Sequence, residues 1–346
     1  MNKKIYLHKN SKLIPFIPDH KTYDSHSLKY LNTDGVIMIV PIGGYIEHEE
    51  RMSMIKYAQL SESHIYIEDC VEGSSTFIRH LDQYGLLKRA LNKDISIIAS
   101  GEMPEQMSAV AINYMMYITG QANESHRKIS IAKKNKPYTF LFLNNRVRKH
   151  RSDLIMQLKD LGLLEKALWS NKRMDDKGEL AFSSLILHEL PEEYDPQESK
   201  DLIDWNTWSA GPVIKPQYQD TYFSVFAESA AMHRYAFPTE KTWKPIIAGH
   251  PFIALSNCRQ YAYLKELGFQ TFDSIIDETW AGMTRWQDAN RWMIKEISKL
   301  VDSDLEDFVQ QCKKITTHNK KQFWTLYDDY IADTESKLNQ LFEQVE

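Results

Sequence analysis

Short apolar runs alternate with stretches of helical periodicity along the first part of the chain. Residues 36–40 (VIMIV) form a β-branched run that stops at Pro41-Ile42-Gly43-Gly44, and residues 46–60 follow with helical character. His64-Ile65-Tyr66-Ile67 ends at Glu68-Asp69, a helical stretch occupies 76–92, and residues 95–99 (ISIIA) end at Ser100-Gly101-Glu102. Apolar runs this short, bounded by glycine and polar positions, predict buried strands. Their alternation with helices predicts βαβ units and a parallel sheet. Residues 106–124 predict an apolar helix.

The composition changes over residues 121–137 (QANESHRKISIAKKNKP), which reads as an interdomain linker. A second α/β pattern follows. Residues 138–143 (YTFLFL), 182–187, 222–226 and 251–255 predict strands, and 151–161 and 239–248 predict helices. Leu154, Leu158 and Leu161 share one helical face. Residues 189–206 are acidic and proline-containing, as in a surface loop, and the chain beyond Ser303 is helical, with one apolar stripe through Phe323, Tyr327, Tyr330, Leu338 and Leu341. Two α/β halves joined near residue 130 would enclose a cleft, and ligands of such sheets bind beyond the carboxyl ends of the strands. Those ends carry Gly43-Gly44, Glu68-Asp69, Gly101-Glu102, Asn144-Asn145 and Glu228.

Composition narrows the function classes. At 346 residues the chain has room for two medium domains with their own cores, and 42% hydrophobic with 12% aromatic residues argues against a disordered chain. No apolar run approaches the roughly 20 residues of a membrane span, and the start has no signal-peptide pattern, so a soluble, cytoplasmic protein is expected (host cytoplasm if it is viral). Cys70, Cys258 and Cys312 are too scattered for a disulfide framework or a cysteine zinc site. The net charge of −5 argues against a uniformly basic nucleic-acid binder. That average conceals residues 133–151, with seven Lys or Arg and no acid, and the acidic segment 189–206.

Two clusters could carry chemistry. Asn145, Arg146, Arg148 and Arg151 lie directly after a strand and open a helix. Amide groups at a helix start, joined by guanidinium groups, make an anion site. The competing reading is a solvated basic turn paired with the acidic 189–206 segment. In the second cluster Glu228 and Ser229 follow a strand, and Thr239-Glu240-Lys241-Thr242 opens a helix. A Thr N-cap, an acid in the first turn and a nearby lysine suit a diphosphate. Alternatively Thr239 only caps the helix and Lys241 is a surface residue.

Phe226, Glu228, Ser229, Phe237, Thr239, Glu240, Lys241, Gly249 and Pro251-Phe252, taken in order, resemble the donor-site signature of the α1,3-fucosyltransferases and of phage and bacterial glycosyltransferases sharing that C-terminal half. The Asn-Arg-x-Arg-x-His-Arg string at 145–151 is similar to a motif of that wider set, and the likeness is best over residues 138–280. Phe237-Pro238 stands where the fucosyltransferases have Tyr before Thr-Glu-Lys, and Gly101-Glu102-Met103-Pro104 resembles their N-domain Gly-Glu pair followed by proline, with a shorter spacing. The resemblance implies a GT-B architecture: two Rossmann-like domains facing across a cleft, with C-terminal helices returning to the N-terminal one. The expected domains are 1–130 on the acceptor side, 131–300 for the nucleotide-sugar, and 301–346 for the returning helices. It implies that Glu228 contacts the sugar or ribose, and that Lys241 and an arginine of the 146–151 cluster hold the diphosphate.

The expected reaction is transfer of a sugar from a nucleotide-diphosphate donor to an acceptor hydroxyl, inverting and without metal or other cofactor. The resemblance to phage enzymes makes a hydroxymethylated base in DNA one acceptor, with hexosyl or pentosyl transfer. A glycan, a lipopolysaccharide or a protein is the alternative, and a noncatalytic nucleotide-sugar or nucleic-acid binding protein is the rival from another class. A base must take the acceptor proton, and cations must hold the leaving diphosphate. The resemblance implies a catalytic carboxylate in that Gly-Glu pair, and Glu102 also stands at a strand end, so it is the first candidate base; Asp69 and Glu68 come second. Gly43, Gly44, Tyr45 and His48 are acceptor-side candidates, with Glu47-His48-Glu49-Glu50 read as a solvated helix face. Asp302-Ser303-Asp304 has the Asp-x-Asp form of metal-dependent transferases, but it stands where a helix begins and reads as a cap. Trp243, beside Thr242, is the one tryptophan expected near the donor. No dinucleotide fingerprint is present, which disfavours an oxidoreductase.

Overall fold

The computed structural model describes residues 4–9, 11–17, 19–23, 36–41, 48–61, 64–144, 148–171, 188–194, 211–229, 231 and 233–344. Gly43, Gly44, Tyr45, Asn145, Arg146, the strand expected at 182–187 and the segment 195–206 lie outside these residues. The chain divides into two compact units, Met1–Tyr117 with Tyr327–Glu346, and Ile118–Leu326. Residues 121–137 therefore fall within the second unit.

The first unit is built on a six-stranded sheet, parallel throughout, in the order β2-β1-β3-β4-β5-β6. Its strands are β1 Lys4–His8, β2 His20–Tyr23, β3 Val36–Pro41, β4 Ile65–Gly73, β5 Ile95–Ser100 and β6 Ala109–Ile112. The helices are α1 His48–Leu60, α2 Ser74–Gln83, α3 Leu87–Leu91 and the first turn of α4 Tyr114–Ala122, within which the division falls. Val40, Ile65, Ile67, Ile95 and Ile97 bury one side of the sheet against Met54, Ile55, Phe77 and Leu81. This is the burial that makes short β-branched runs fold as strands.

Three expectations change here. The helix over 76–92 is two helices, because Gly85 takes φ +68°, a left-handed turn that ends the first. The helix over 106–124 is β6 followed by α4: the run AVAI adds an edge strand to β5 before the helix begins. β4 runs past Asp69 to Gly73, with a register shift against β5 between those two residues.

The second unit holds a four-stranded parallel sheet in the order β10-β9-β7-β8. Its strands are β7 Tyr138–Asn144, β8 Ala167–Asn171, β9 Thr221–Ala227 and β10 Phe252–Leu255. The helices are α5 Lys149–Asp160, α6 Lys215–Gln219, α7 Glu240–Ala248, α8 Gln260–Glu266 and α9 Trp286–Val301. From β7 the chain runs outward to β8 on one side, then crosses to β9 on the other. The carboxyl ends of β7 and β9 thus form a topological switch point. Lys133 pairs with Asp220, and Lys136 Nζ donates to the carbonyls of Tyr218 (3.2 Å) and Thr221 (2.7 Å), so the polar stretch before β7 ties the start of β9 to this unit.

Instead of several C-terminal helices there is one, α10 Leu305–Glu343. The Asp304 carboxylate accepts from the amides of Glu306 (3.0 Å) and Asp307 (3.1 Å), so this acid caps α10 as its position predicted. Beyond the division at Tyr327, Tyr330 stacks on Tyr117 at 4.7 Å and Phe342 meets Tyr66 edge-on at 4.9 Å, all within the first unit. Among the described residues no helix is long and apolar enough to cross a membrane.

Candidate functional site

The second unit gathers its polar chemistry at the switch point. Glu228 directly follows β9 and is fully buried. One carboxylate oxygen accepts from the Thr239 amide (3.0 Å) and the Thr242 hydroxyl (2.7 Å), and the other accepts from the Thr239 hydroxyl (2.6 Å). Gln260 Nε2 adds a 3.4 Å contact and also donates to Thr242 Oγ1 at 3.0 Å. The carboxylate is occupied by the chain's own donors. Through these bonds Glu228 fixes the head of α7 against the end of β9.

That head is an N-cap of the expected kind. Thr239 has extended backbone and its hydroxyl accepts from the Lys241 amide. Pro245 lies inside α7, and Gly249 closes it with φ +72°, the left-handed conformation that suits glycine. Lys241 is partly exposed and pairs with Glu240, and its Nζ lies 3.4 Å from Thr239 Oγ1. Burial alone would raise the Glu240 carboxyl, but Lys241 and Lys244 beside it hold it below the ordinary range. Trp243 is enclosed between Phe269 and Phe323, with centroids at 5.7 and 6.0 Å, and belongs to the core, not to a sugar platform.

The basic cluster meets the same loop from the other strand. Arg148 is the N-cap residue of α5, and its Nη1 lies 3.4 Å from the Ser229 carbonyl. Buried Arg151 donates through Nη2 to the Ser229 hydroxyl (3.2 Å) and through Nη1 to Asn144 Oδ1 (3.4 Å). Asn144 Nδ2 in turn donates to Asn171 Oδ1 at 2.7 Å, which ties in the end of β8. His150 Nε2 lies 3.1 Å from the Glu228 carbonyl. Burial, and the guanidinium of Arg151, push its imidazole down to about 3. The ring is therefore neutral at physiological pH and donates through Nε2 to that carbonyl. Two helix N-termini and the side chains of Arg148, Arg151 and Lys241 thus converge on Glu228-Ser229. Helix starts and guanidinium groups in this arrangement suit a diphosphate.

In the first unit the candidate carboxylates separate by environment. Glu68 is buried; it accepts from Ser11 Oγ and, at 2.7 Å, from the Lys12 amide. Asp69 is enclosed, with His80 Nδ1 3.8 Å from it. Glu102 stands just beyond β5, after Gly101 at φ +82°, and is half-exposed. His48 is exposed on the first turn of α1. Glu50 departs from the solvated face expected of it: His8 Nε2 lies 2.9 Å away and Lys9 Nζ 3.5 Å away.

Gln260, Asn171 and His8 join these networks without a signal in the sequence. Gln260 and Asn171 are neutral amides that motif spacing does not mark, and His8 lies on a strand the pattern did not reveal. Among the described residues no group of three or more His, Cys, Asp or Glu is placed to hold a metal ion.

No protein-family model matches the chain. It is similar to a glutathione S-transferase domain-containing protein of Dictyostelium discoideum, 23% identical over 127 residues, covering 33% of this chain and 48% of that protein. The chain thus spans about half the length of the curated relative it matches. Among solved structures it is similar, at 11% identity and a TM-score of 0.42, to the crystal structure of T4 phage BGT in complex with its UDP-glucose substrate, covering 96% of this chain and 87% of that one.

Proposed function

We propose that this chain is a GT-B glycosyltransferase that moves a sugar from a nucleotide-diphosphate donor to an acceptor hydroxyl. One observation carries the reading: the starts of α5 and α7, with Arg148, Arg151 and Lys241, converge on the loop after β9 at the switch point of a parallel sheet. Parallel sheets of this order bind nucleotides at that place. In the proposed reaction the acceptor oxygen attacks the anomeric carbon as the bond to the diphosphate oxygen breaks. Glu102 takes the acceptor proton, because it is the half-exposed carboxylate of the three candidates, while Asp69 and Glu68 are enclosed. Arg148, Arg151, Lys241 and the helix amides hold the charge that grows on the leaving diphosphate. Direct displacement inverts the anomeric centre, and these groups do the work proposed here without a metal ion. The acceptor we favour is a hydroxymethylated base of phage DNA, on the resemblance of residues 138–280 to phage-type enzymes.

A thermal-shift screen against UDP, GDP, CMP and their sugars tests the donor half. A nucleotide diphosphate at 100 times its Kd stabilises the native state by about 2.7 kcal/mol. No shift with any of them would overturn the reading. Transfer of radiolabelled sugar to hydroxymethylcytosine-containing DNA tests the acceptor.

A further inference from the structure

One end of α9 carries groups that neither the loop after β9 nor the carboxylates of the first unit use. A cavity of about 550 Å³ opens there, with Thr284, Arg285, Asp288, Arg291 and Trp292 in its wall. Asp288 stands between two guanidinium groups, 3.5 Å from Arg285 Nε and in contact with Arg291 Nη2. Each guanidinium has five N–H donors, far more than one carboxylate can accept. Both arginines are open to solvent, at 72% and 68%, and Trp292 is 37% exposed, with Lys295 Nζ 4.9 Å from its ring centre. Lys299 continues the row one turn on. The acids facing these groups are Asp288, Asp277 and Glu296, the last buried and bonded to Lys299. The surface retains a positive surplus on a chain whose net charge is −5.

The cavity lies in the same unit as the diphosphate candidate, on the face of α9 opposite the one that packs on α5. Trp286, next to Arg285, meets the His150 ring at 6.4 Å, and Asn290 Nδ2 donates to Asp153 at 2.8 Å, so α9 braces the first turns of α5. Surplus fork-shaped donors beside an exposed indole match one phosphate and one base of a nucleotide.

We infer that this cavity holds one unpaired nucleotide of the acceptor DNA strand, its phosphate on Arg285 and Arg291 and its base against Trp292. The inference rests on the DNA-acceptor reading above. The test is fluorescence anisotropy of a labelled single-stranded DNA 20-mer at 50 to 200 mM salt. Arg285→Gln/Arg291→Gln should weaken binding about tenfold and make the log–log salt slope shallower by about 1. Trp292→Ala should weaken it roughly tenfold at every salt concentration. Lys299→Gln, beyond the cavity, should change it less than twofold, and UDP affinity by calorimetry should stay the same in all variants. Wild-type affinity in the double variant, or no binding by the wild type, would overturn the inference. So would equal competition by free dCMP at the same nucleotide concentration, which would mark a site for a free nucleotide. Loss of the nucleotide-sugar reading alone would show as a wild type that binds the 20-mer as described but neither binds UDP nor turns over a sugar donor.

Discussion

The Thr239 hydroxyl donates to the Glu228 carboxylate at 2.6 Å while accepting from the Lys241 amide, so one side chain joins the end of β9 to the start of α7. Thr242 donates to the same carboxylate at 2.7 Å. Removing the acid strands these donors in a buried place. Glu228→Ala should therefore cost about 3 kcal/mol, because each orphaned buried donor costs on the order of 1–3 kcal/mol. Thr242→Val, which removes a single hydroxyl, should cost less. Urea unfolding of both variants checks the order; a Glu228→Ala protein as stable as the parent would remove the carboxylate from the architecture of the site.

Lys241 separates from Glu228 in what it is expected to do. Its side chain is 23% exposed and that of Glu240 only 12%, so the ion pair is largely enclosed, and removing the lysine leaves the acid dependent on Lys244 alone. Lys241→Ala should lower the thermal midpoint, because it leaves the enclosed Glu240 short of its partner, and should weaken nucleotide-diphosphate binding by about 10- to 100-fold, the scale of a lost charge-assisted hydrogen bond. Calorimetry reads this directly, and unchanged affinity would remove Lys241 from the diphosphate site.

The parts of this site that were legible in the sequence are those whose chemistry is local. Thr239 followed by Glu240 and Lys241 marks a helix start because the cap and the first-turn charges lie within three residues of one another. Glu228 stood out only as an acid after a strand. Its actual partners lie 11, 14 and 32 positions away, and nothing in that spacing shows that Thr242 and Gln260 reach it. The basic stretch at 133–151 shows the opposite limit. Seven cations looked like one feature, yet Lys133 and Lys136 are consumed by Asp220 and by carbonyls at the start of β9, while Arg148 and Arg151 face the loop. β1 and β2 escaped notice because KIYLH and HKTY are short and polar on one side, a pattern set by their place near the sheet edge. β6 was hidden for another reason: an apolar run leading straight into an apolar helix has no internal signal of where the period changes.

Glu102 carries the sharpest kinetic expectation. Glu102→Gln keeps shape and hydrogen bonding but cannot take a proton. Turnover should fall by about 100- to 10,000-fold, the usual worth of a general base, with donor affinity unchanged. Asp69→Asn should act mainly on stability, since that carboxylate is enclosed beside His80. Steady-state kinetics with calorimetric donor binding separates the two. A fully active Glu102→Gln enzyme would reassign the base. Activity that survives excess EDTA is expected of both the parent and the Asp69→Asn variant.

Two buried histidines set the acid limit of the second unit. His250 lies between α7 and β10 in the chain and bonds to β9: its Nε2 donates to the Thr221 carbonyl at 2.8 Å, and its Nδ1 accepts from the Ser224 hydroxyl at 2.9 Å. Burial pushes its imidazole down to about 3, and burial with Arg151 does the same to His150. In the unfolded chain both rings titrate near their ordinary value of about 6.5. Between pH 6.5 and 3 the unfolded state therefore binds more protons than the folded one, and stability rises with pH across that window. The stabilisation is complete above about pH 6.5 and is lost as the pH falls toward 3, by about 1.4 kcal/mol per pH unit for each ring. Charging His250 would also turn Nδ1 into a donor and break its bond from Ser224. Urea unfolding at pH 7, 6, 5 and 4 should show this slope, and His250→Gln, less stable at pH 7, should lose half of it. An unchanged slope in that variant would show that His250 does not set the acid limit.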